Sequence, residues 1–87
     1  MVSVLIPSQL TSYTDGATRV PASGGTVDEV LSDLDARFPG LRFRVVDEQD
    51  RVRRHVRIFV GLEETRSVGR ALAEGDEVLI VGALSGG

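Results

Sequence analysis

Apolar and polar residues alternate at the start of the chain and again after a turn-rich segment. Val2, Val4 and Ile6 recur with the period of two that is typical of a strand with one face toward a core. The segment ATRVPAS predicts a second strand, and we expect it at the edge of a sheet because Pro21 has no backbone N–H for a ladder. The polar, turn-forming residues between the two strands predict a β-hairpin.

The segment TVDEVLSDLDARF has the spacing of an amphipathic helix. Thr26 and Glu29 stand three residues apart, as in a capping box at a helix N-terminus, and Pro39-Gly40 predicts the C-terminal end. The apolar positions i, i+3, i+4, i+7 and i+11 share one face of such a helix. They are Val27, Val30, Leu31, Leu34 and Phe38. We therefore predict one main helix that buries this face against a sheet.

Two further alternating runs follow the predicted helix. The run LRFRV predicts that residues 41–54 form a strand running into a flexible loop. The run HVRIFV predicts another strand, which Gly61 ends. On one side of this strand lie Val56, Ile58 and Val60, and on the other lie Arg57 and Phe59.

The last strand pattern is the run VLIV, residues 78–81, after a Gly75-Asp76 turn. It is apolar on both faces, which predicts a strand in the middle of a sheet. Residues 62–74 are interpreted as irregular, with a short turn or helix. The element order predicts an α+β fold, a mixed sheet of four or five strands with one main helix packed on one face. We assign residues 1–81 to this domain and residues 82–87 to a flexible C-terminal tail.

Composition limits the chain to one small domain and excludes several kinds of site. With 87 residues, of which 41% are hydrophobic, it has room for a single modest core. It has no cysteine, which excludes disulfides, a thiolate nucleophile and a cysteine-based zinc site. The lone His55 has no second imidazole for a metal site or a triad, so we interpret it as a half-exposed strand residue. We expect no metal, no bound cofactor and no enzyme active site.

Charge and hydropathy argue against nucleic-acid and membrane partners. The net charge is −3 at pH 7, so the long-range field repels phosphate backbones. The longest apolar segment, residues 78–84, is far shorter than the roughly 20 residues that span a bilayer. The N-terminal residues lack the pattern of a signal peptide. We expect a cytoplasmic protein without nucleic-acid or membrane partners.

One local cluster of residues is basic, although the chain has a net negative charge. It consists of Arg51, Arg53, Arg54, His55 and Arg57. We interpret it as a solvated hairpin that is offset by the acidic residues within residues 47–50, and a docking surface for an acidic partner is the alternative.

The sequence finishes on GALSGG, directly after the last predicted strand. Gly86 and Gly87 have no Cβ, so they form a thin segment that fits a narrow channel and leaves the terminal carbonyl open to a nucleophile. The α-carboxylate is ionised at neutral pH and is therefore the reactive group of the chain. An activating enzyme can adenylate it and pass it to a nucleophile.

The segment GDEVLIVGALSGG, together with RIFV and the strand, strand, helix order, resembles the MoaD/ThiS family of ubiquitin-like β-grasp sulfur carriers. In that family the terminal glycine is adenylated by an E1-like enzyme and converted to a thiocarboxylate. The thiocarboxylate donates sulfur for molybdopterin, thiamin thiazole or cysteine synthesis. The resemblance implies that Gly87 is modified, that Gly86 is its required neighbour, and that the activating partner uses ATP and a sulfur source.

Three features depart from the family pattern. Gly82 stands where proline is common, Gly61 stands where an asparagine-glycine turn is common, and residues 63–72 look shortened. These departures bear on the subfamily. The length and the RIFV segment resemble the cysteine-synthesis carriers and the small subunits of molybdopterin synthase more than the shorter thiamin type.

The side of the sheet away from the helix predicts a docking surface. Leu5, Phe59, Leu79 and Val81 are expected to face outward there, beside Arg57. An exposed apolar cluster beside a cation is typical of a protein docking site. The tail residues predicted to contact a partner are Gly82, Ala83, Leu84 and Ser85.

The resemblance implies two successive partners for a chain that is monomeric when free. The first is an E1-like adenylating enzyme. The second is a sulfur-accepting biosynthetic enzyme, either cysteine synthase-like or the large subunit of molybdopterin synthase.

Three other functions remain open at this point. The chain can be the small subunit of molybdopterin synthase, with its tail held permanently in the large subunit. It can be a ubiquitin-like modifier joined to lysines of other proteins. It has no lysine of its own, so only its N-terminal amine can accept another copy. Finally, it can be a plain β-grasp interaction domain with an accidental diglycine.

Overall fold

The computed structural model describes residues 1–82 of the chain. These residues form five strands, two α-helices and one short 3-10 turn. The strands are β1 (Val2–Leu5), β2 (Arg19–Ala22), β3 (Val56–Val60), β4 (Glu63–Thr65) and β5 (Glu77–Gly82). The helices are α1 (Val27–Arg37) and α2 (Leu41–Val45), and the 3-10 turn is Ser8–Leu10.

All five strands join one mixed sheet in the order β2-β1-β5-β3-β4. The central pair, β1 and β5, is parallel, and the other pairs are antiparallel. The predicted hairpin of β1 and β2 is confirmed, with Pro21 on an edge strand. The predicted position of the VLIV run in the middle of the sheet is also confirmed, because β5 lies between β1 and β3.

Helix α1 covers one face of the sheet and closes the core. Its start matches the predicted capping box, since the backbone N–H of Glu29 donates to Thr26 Oγ1 at 3.2 Å. The Glu29 carboxylate in turn accepts from the backbone N–H of Gly25 at 2.7 Å. The helix buries Val27, Val30, Leu31 and Leu34 against the inward residues of the strands, among them Val4, Ile58, Val78 and Ile80.

Gly24, before α1, serves this packing. A Cβ on Gly24 would lie 2.7 Å from the backbone nitrogen of Val30 and 2.8 Å from Glu29 Cβ. Such contacts are too close for any side chain, so glycine is required for the chain to approach the first turn of α1.

The predicted strand in residues 41–54 is wrong, because this segment begins with the helix α2. Leu41 and Val45, four residues apart, are both buried on one helical face, whereas Phe43 between them is 54% exposed. The Asp35 carboxylate accepts from the backbone N–H of Gly40 at 3.0 Å and of Arg42 at 3.1 Å. These bonds satisfy N–H groups that a helix start leaves free, and α2 packs against α1.

A second correction concerns residues 62–74, which the sequence predicted as irregular. They contain β4, a three-residue strand that pairs with β3 after a turn at Gly61. This strand is polar and lies at the edge of the sheet, so it carries no apolar alternation. The fifth strand of the sheet is therefore Glu63–Thr65.

The end of the domain differs by one residue from the predicted boundary. Gly82, which the sequence assigned to the tail, is the last residue of β5 and pairs with Val56. The flexible tail predicted for the following residues lies outside the described part of the chain. Residues 1–82 contain no helix long and apolar enough to cross a membrane.

Candidate functional site

One continuous row of side chains crosses the open face of the sheet. In the strand register, Leu5 of β1 lies beside Leu79 of β5, and Leu79 lies beside Phe59 of β3. Arg19 of β2 stands next to Leu5, and Glu64 of β4 stands next to Phe59. The row therefore has an apolar centre of three residues and a charged residue at each edge of the sheet.

The period of two places this row on the side away from α1. Leu5, Phe59 and Leu79 each stand between two buried neighbours in sequence, so their own side chains point to the opposite face. They are half-buried because strands flank them but no layer covers them in the described structure. We call these three residues the apolar row.

Ion pairs border the apolar row. Arg19 Nη1 lies 2.8 Å from Glu77 Oε2, and Arg57 Nε lies 3.9 Å from Glu64 Oε2. Val81 is half-buried and pairs in register with Arg57. An apolar centre with a polar rim is the usual composition of a protein–protein interface.

The last residue of β5 is held by a side chain from the other end of the sequence. Gln9, in the 3-10 turn, donates from Nε2 to the carbonyl oxygen of Gly82 at 3.0 Å. A Cβ at position 82 would lie 3.3 Å from Gln9 Cδ and Oε1. Glycine at this position therefore lets the Gln9 amide lie directly against the strand end.

A cavity of about 190 Å³ adjoins this strand end. It lies where the 3-10 turn, α2 and the start of β3 meet, and its wall includes Gln9, Arg44, His55 and Gly82. His55 precedes β3 and is exposed, so the prediction of a half-exposed strand residue is wrong. The residue is exposed because β3 begins one position later, with Val56 on the buried face.

The chemistry of the described residues does not include a metal centre. Residues 1–82 contain no group of three or more histidine, aspartate or glutamate side chains that could hold a metal ion. What the described site offers is a half-buried apolar surface, ion pairs around it and a fixed strand end.

A comparison with protein families identifies the family of this chain. Residues 4–87 match the family model described as the ThiS family. The chain belongs to the ThiS family. The match begins at Val4, within β1, includes all the later strands and continues through Gly87.

Full-length relatives of this ThiS family chain include a curated sulfur carrier. The chain is 40% identical over 91 residues to the sulfur carrier protein CysO of Mycobacterium tuberculosis, with 99% of this chain and 98% of that protein covered. The crystal structure of M. tuberculosis CysO superimposes with a TM-score of 0.91 at 37% identity, covering 97% of this chain and all of the other.

Two further solved structures share the fold of this ThiS family chain. The Amycolatopsis orientalis BexX/CysO complex contains a chain with a TM-score of 0.93 and 32% identity, with both chains fully covered. The small archaeal modifier protein 1 of Haloferax volcanii has a TM-score of 0.77 and 27% identity, covering 99% of this chain and 98% of that one. The predicted ubiquitin-like β-grasp fold is thereby confirmed.

The structure brings together some of the predicted site residues and adds others. Leu5, Phe59 and Leu79 form the apolar row, with Arg57 and Val81 beside it. The predicted site residues Ala83, Leu84, Ser85, Gly86 and Gly87 lie outside the described residues. Sequence reasoning missed Gln9 and Arg44, since no local pattern marks a glutamine that bonds a residue 73 positions away.

Proposed function

We propose that this chain is a sulfur carrier, a protein co-substrate that acts with partner enzymes. The observation that carries the proposal is the 40% identity, over nearly the whole of both chains, to the sulfur carrier protein CysO. The ThiS family match continues through the Gly86-Gly87 ending, which has no side chain near its carboxylate. This ending supports the assignment of Gly87 as the residue that carries sulfur.

The proposed chemistry has two steps on the Gly87 carboxylate. First, a carboxylate oxygen attacks the α-phosphorus of ATP in an E1-like partner, which forms an acyl adenylate and releases pyrophosphate. Next, hydrosulfide attacks the carbonyl carbon, and the bond to AMP breaks. The products are AMP, a proton and a chain that ends in a thiocarboxylate. Neither step requires an oxidant or a reductant.

The second partner then consumes the thiocarboxylate. Its sulfur displaces a leaving group from an electrophilic carbon of the acceptor, and hydrolysis of the resulting thioester restores the carboxylate. We propose a cysteine synthase-like acceptor, because the chain is similar over nearly its whole length to sulfur carriers named CysO. Use of ATP supports a cytoplasmic location for this cycle.

The apolar row is the proposed contact with the activating enzyme. Its three apolar side chains span about 10 Å across three strands at the usual strand spacing, which suits the centre of a protein interface. Removal of water from this half-buried surface favours association. The BexX/CysO complex of A. orientalis supports direct binding between a CysO and another protein. Residues 82–85 would then lead the terminal glycines to the ATP site.

The decisive experiment is intact mass spectrometry of the full chain. We expect that incubation with its adenylating enzyme, ATP and sulfide replaces one carboxyl oxygen of Gly87 with sulfur. Deletion of Gly87, addition of one residue after it, or replacement of Gly86 by a bulky residue should abolish the product. These changes touch no core residue, so the thermal midpoint should stay the same. An unmodified wild-type chain under these conditions would contradict the proposal.

A modifier function is the second candidate, since the small archaeal modifier protein 1 shares the fold at 27% identity. A modifier would appear joined by an amide bond to lysines of other proteins. The chain itself lacks lysine, so chains of linked copies would need the amine of Met1, which contacts Glu74. Mass spectrometry of conjugates from cells therefore separates the two functions: trypsin last cuts this chain after Arg70, so a remnant of residues 71–87 on lysines of other proteins favours the modifier.

A further inference from the structure

Arginines are distributed unevenly over this acidic chain. Five of the ten lie around the loop between α2 and β3: Arg44, Arg51, Arg53, Arg54 and Arg66. They line two shallow cavities that share Arg53 and His55, and the only carboxylate in the walls is Asp47. Glu48 and Asp50 lie in the same loop outside these walls, so ten carboxylate side chains and five arginines remain for the rest of the chain. We call these five residues the arginine patch.

The arginines of the patch and those of the rest of the chain also differ in their ion pairs. Six arginines of the chain have a carboxylate oxygen within 4.0 Å, and five of them lie outside the patch. The four arginines without such a partner in residues 1–82 are Arg44, Arg53, Arg54 and Arg66. All four belong to the patch, and its fifth member, Arg51, has its Nε 3.9 Å from Asp47 Oδ2.

Two of these arginines are fixed by the backbone and by an aromatic ring. Arg66 donates to the carbonyl oxygens of Val52, Arg53 and Val56 at 2.8 to 3.1 Å. Arg53 lies 4.4 Å from the centre of the Phe43 ring and donates from Nε to the Phe43 carbonyl at 2.7 Å. These contacts hold the loop in one shape and leave the exposed Arg44 and Arg54 as the adjustable cations.

The shape of the patch fits a protein surface better than a small anion. The larger cavity is broad, about 570 Å³, and therefore does not enclose a phosphate or sulfate. The donors of Arg66 are already engaged by carbonyl oxygens. A flat surface with several carboxylates can instead contact Arg44, Arg53 and Arg54 at separate points.

The patch is continuous with the end of β5. Arg44 and His55 line both the smaller patch cavity and the cavity beside Gly82. We propose, resting on the proposed function, that the arginine patch docks onto a carboxylate-rich surface of the adenylating enzyme, the partner that first receives residues 83–87. The rest of the chain carries excess negative charge and would be repelled by that surface. The charge distribution therefore orients the approaching chain with its tail toward the partner.

The first test uses a probe that needs no activation chemistry. A fluorescent oligoglutamate peptide is titrated into the full chain at low salt and at about 1 M salt, where screening shortens to about 3 Å. We expect binding only at low salt, with amide NMR shifts at residues 44, 53–57 and 82. The double variant Arg44→Glu/Arg54→Glu should weaken binding by about tenfold or more.

The matched control is Arg37→Glu/Arg70→Glu, which changes net charge equally but reverses two arginines outside both the patch and the apolar row. We expect it to weaken peptide binding much less. Equal losses in both variants would mean that net charge alone acts, and they would overturn the proposal. Tighter binding of a DNA duplex than of the peptide at the same salt would assign the patch to nucleic acid and would also overturn it.

The second test measures tail activation by the adenylating enzyme. The patch variant should raise KM several-fold and leave kcat nearly unchanged, whereas the control should alter neither. Loss of peptide binding with an unchanged KM would overturn the assignment to this partner. If the wild-type chain binds the peptide but is never adenylated, the proposed function fails, and the patch alone remains assigned to an acidic protein surface.

Discussion

The two faces of the sheet differ in what covers them. The inner face carries aliphatic residues such as Val4, Ile58 and Ile80, which α1 and the sheet bury almost completely. The outer face carries the apolar row, whose side chains stay half-buried between strands. Both faces come from the same strands and from adjacent residues. The two faces therefore differ in what packs against them. Helix α1 of the same chain covers the inner face, whereas no element of the described structure covers the apolar row.

Residues that stabilise the fold and residues available for function alternate along a single strand. A residue on the inner face contributes to folding through burial, whereas its neighbour on the outer face is available to another protein. In β3 the two roles alternate, with Ile58 inward and Phe59 outward. Substitutions at adjacent positions should thus have different consequences, and this expectation can be measured.

The largest expected effect is on the inner face. Ile58 is fully buried, so Ile58→Ala leaves a cavity and should lower the free energy of unfolding by about 3 kcal/mol. Chemical denaturation measures this value. Leu79→Ala, on the outer face, is the matched control and should cost less than half as much. Equal costs would show that the two faces do not differ in their contribution to the core.

The second effect is on the outer face and concerns binding. Phe59→Ala should weaken binding to the activating enzyme by about 1–3 kcal/mol, because a central interface residue loses its contacts. Leu79→Ala should act in the same direction. Calorimetric titration measures the change, and Ile58→Val is a suitable control because it trims one group on the opposite face. Unchanged affinity in both outer-face variants would assign the docking surface elsewhere.

The third effect concerns the C-terminal end of β5, at Gly82. Gln9→Ala removes the hydrogen bond to the Gly82 carbonyl and should lower the free energy of unfolding by about 1 kcal/mol. It should also slow activation of the tail, since the strand end is held less firmly. Ser8→Ala, in the same 3-10 turn, is the control. Wild-type kinetics in the Gln9 variant would remove any role for this bond in presenting the tail.

Local sequence signals explain which parts of this fold were predictable. Helix α1 carries its own cap at Thr26 and Glu29, and the period of two in β1, β3 and β5 assigned the apolar row to the outer face. The short α2 was not predictable, because apolar residues at i and i+4 also fit an alternating strand. The Asp35 carboxylate, six residues before Leu41, supports the helix.

Other features depend on residues that are distant in sequence. The polar β4 is a strand because β3 offers it an edge, and no pattern within its three residues indicates this. The arginine cluster was visible in the sequence, but Arg44 and Arg66 join it only through the fold. The bond between Gln9 and Gly82 likewise has no local signal.

The smallest expected effect lies in the loop that bears the arginine patch, outside both faces. The backbone N–H groups of Arg51 and Gln49 donate to Asp47 Oδ1 at 3.0 and 2.9 Å and hold the pKa of this carboxyl below its ordinary value. Because folding lowers the pKa, the ionised group stabilises the fold above its unfolded-state pKa of about 4. This contribution is lost as the pH falls through the lower, folded-state pKa.

The variant Asp47→Asn cannot titrate at this position. At pH 7 its free energy of unfolding should be lower than that of the wild-type chain, and the difference should shrink as the pH falls below about 4. Thermal unfolding at a series of pH values measures the difference, with Glu48→Gln as the control at an exposed neighbouring carboxylate. A difference that stays constant with pH would mean that the two backbone bonds do not depend on the charge of Asp47. Binding through the apolar row should be the same in both variants, because neither residue lies on that face.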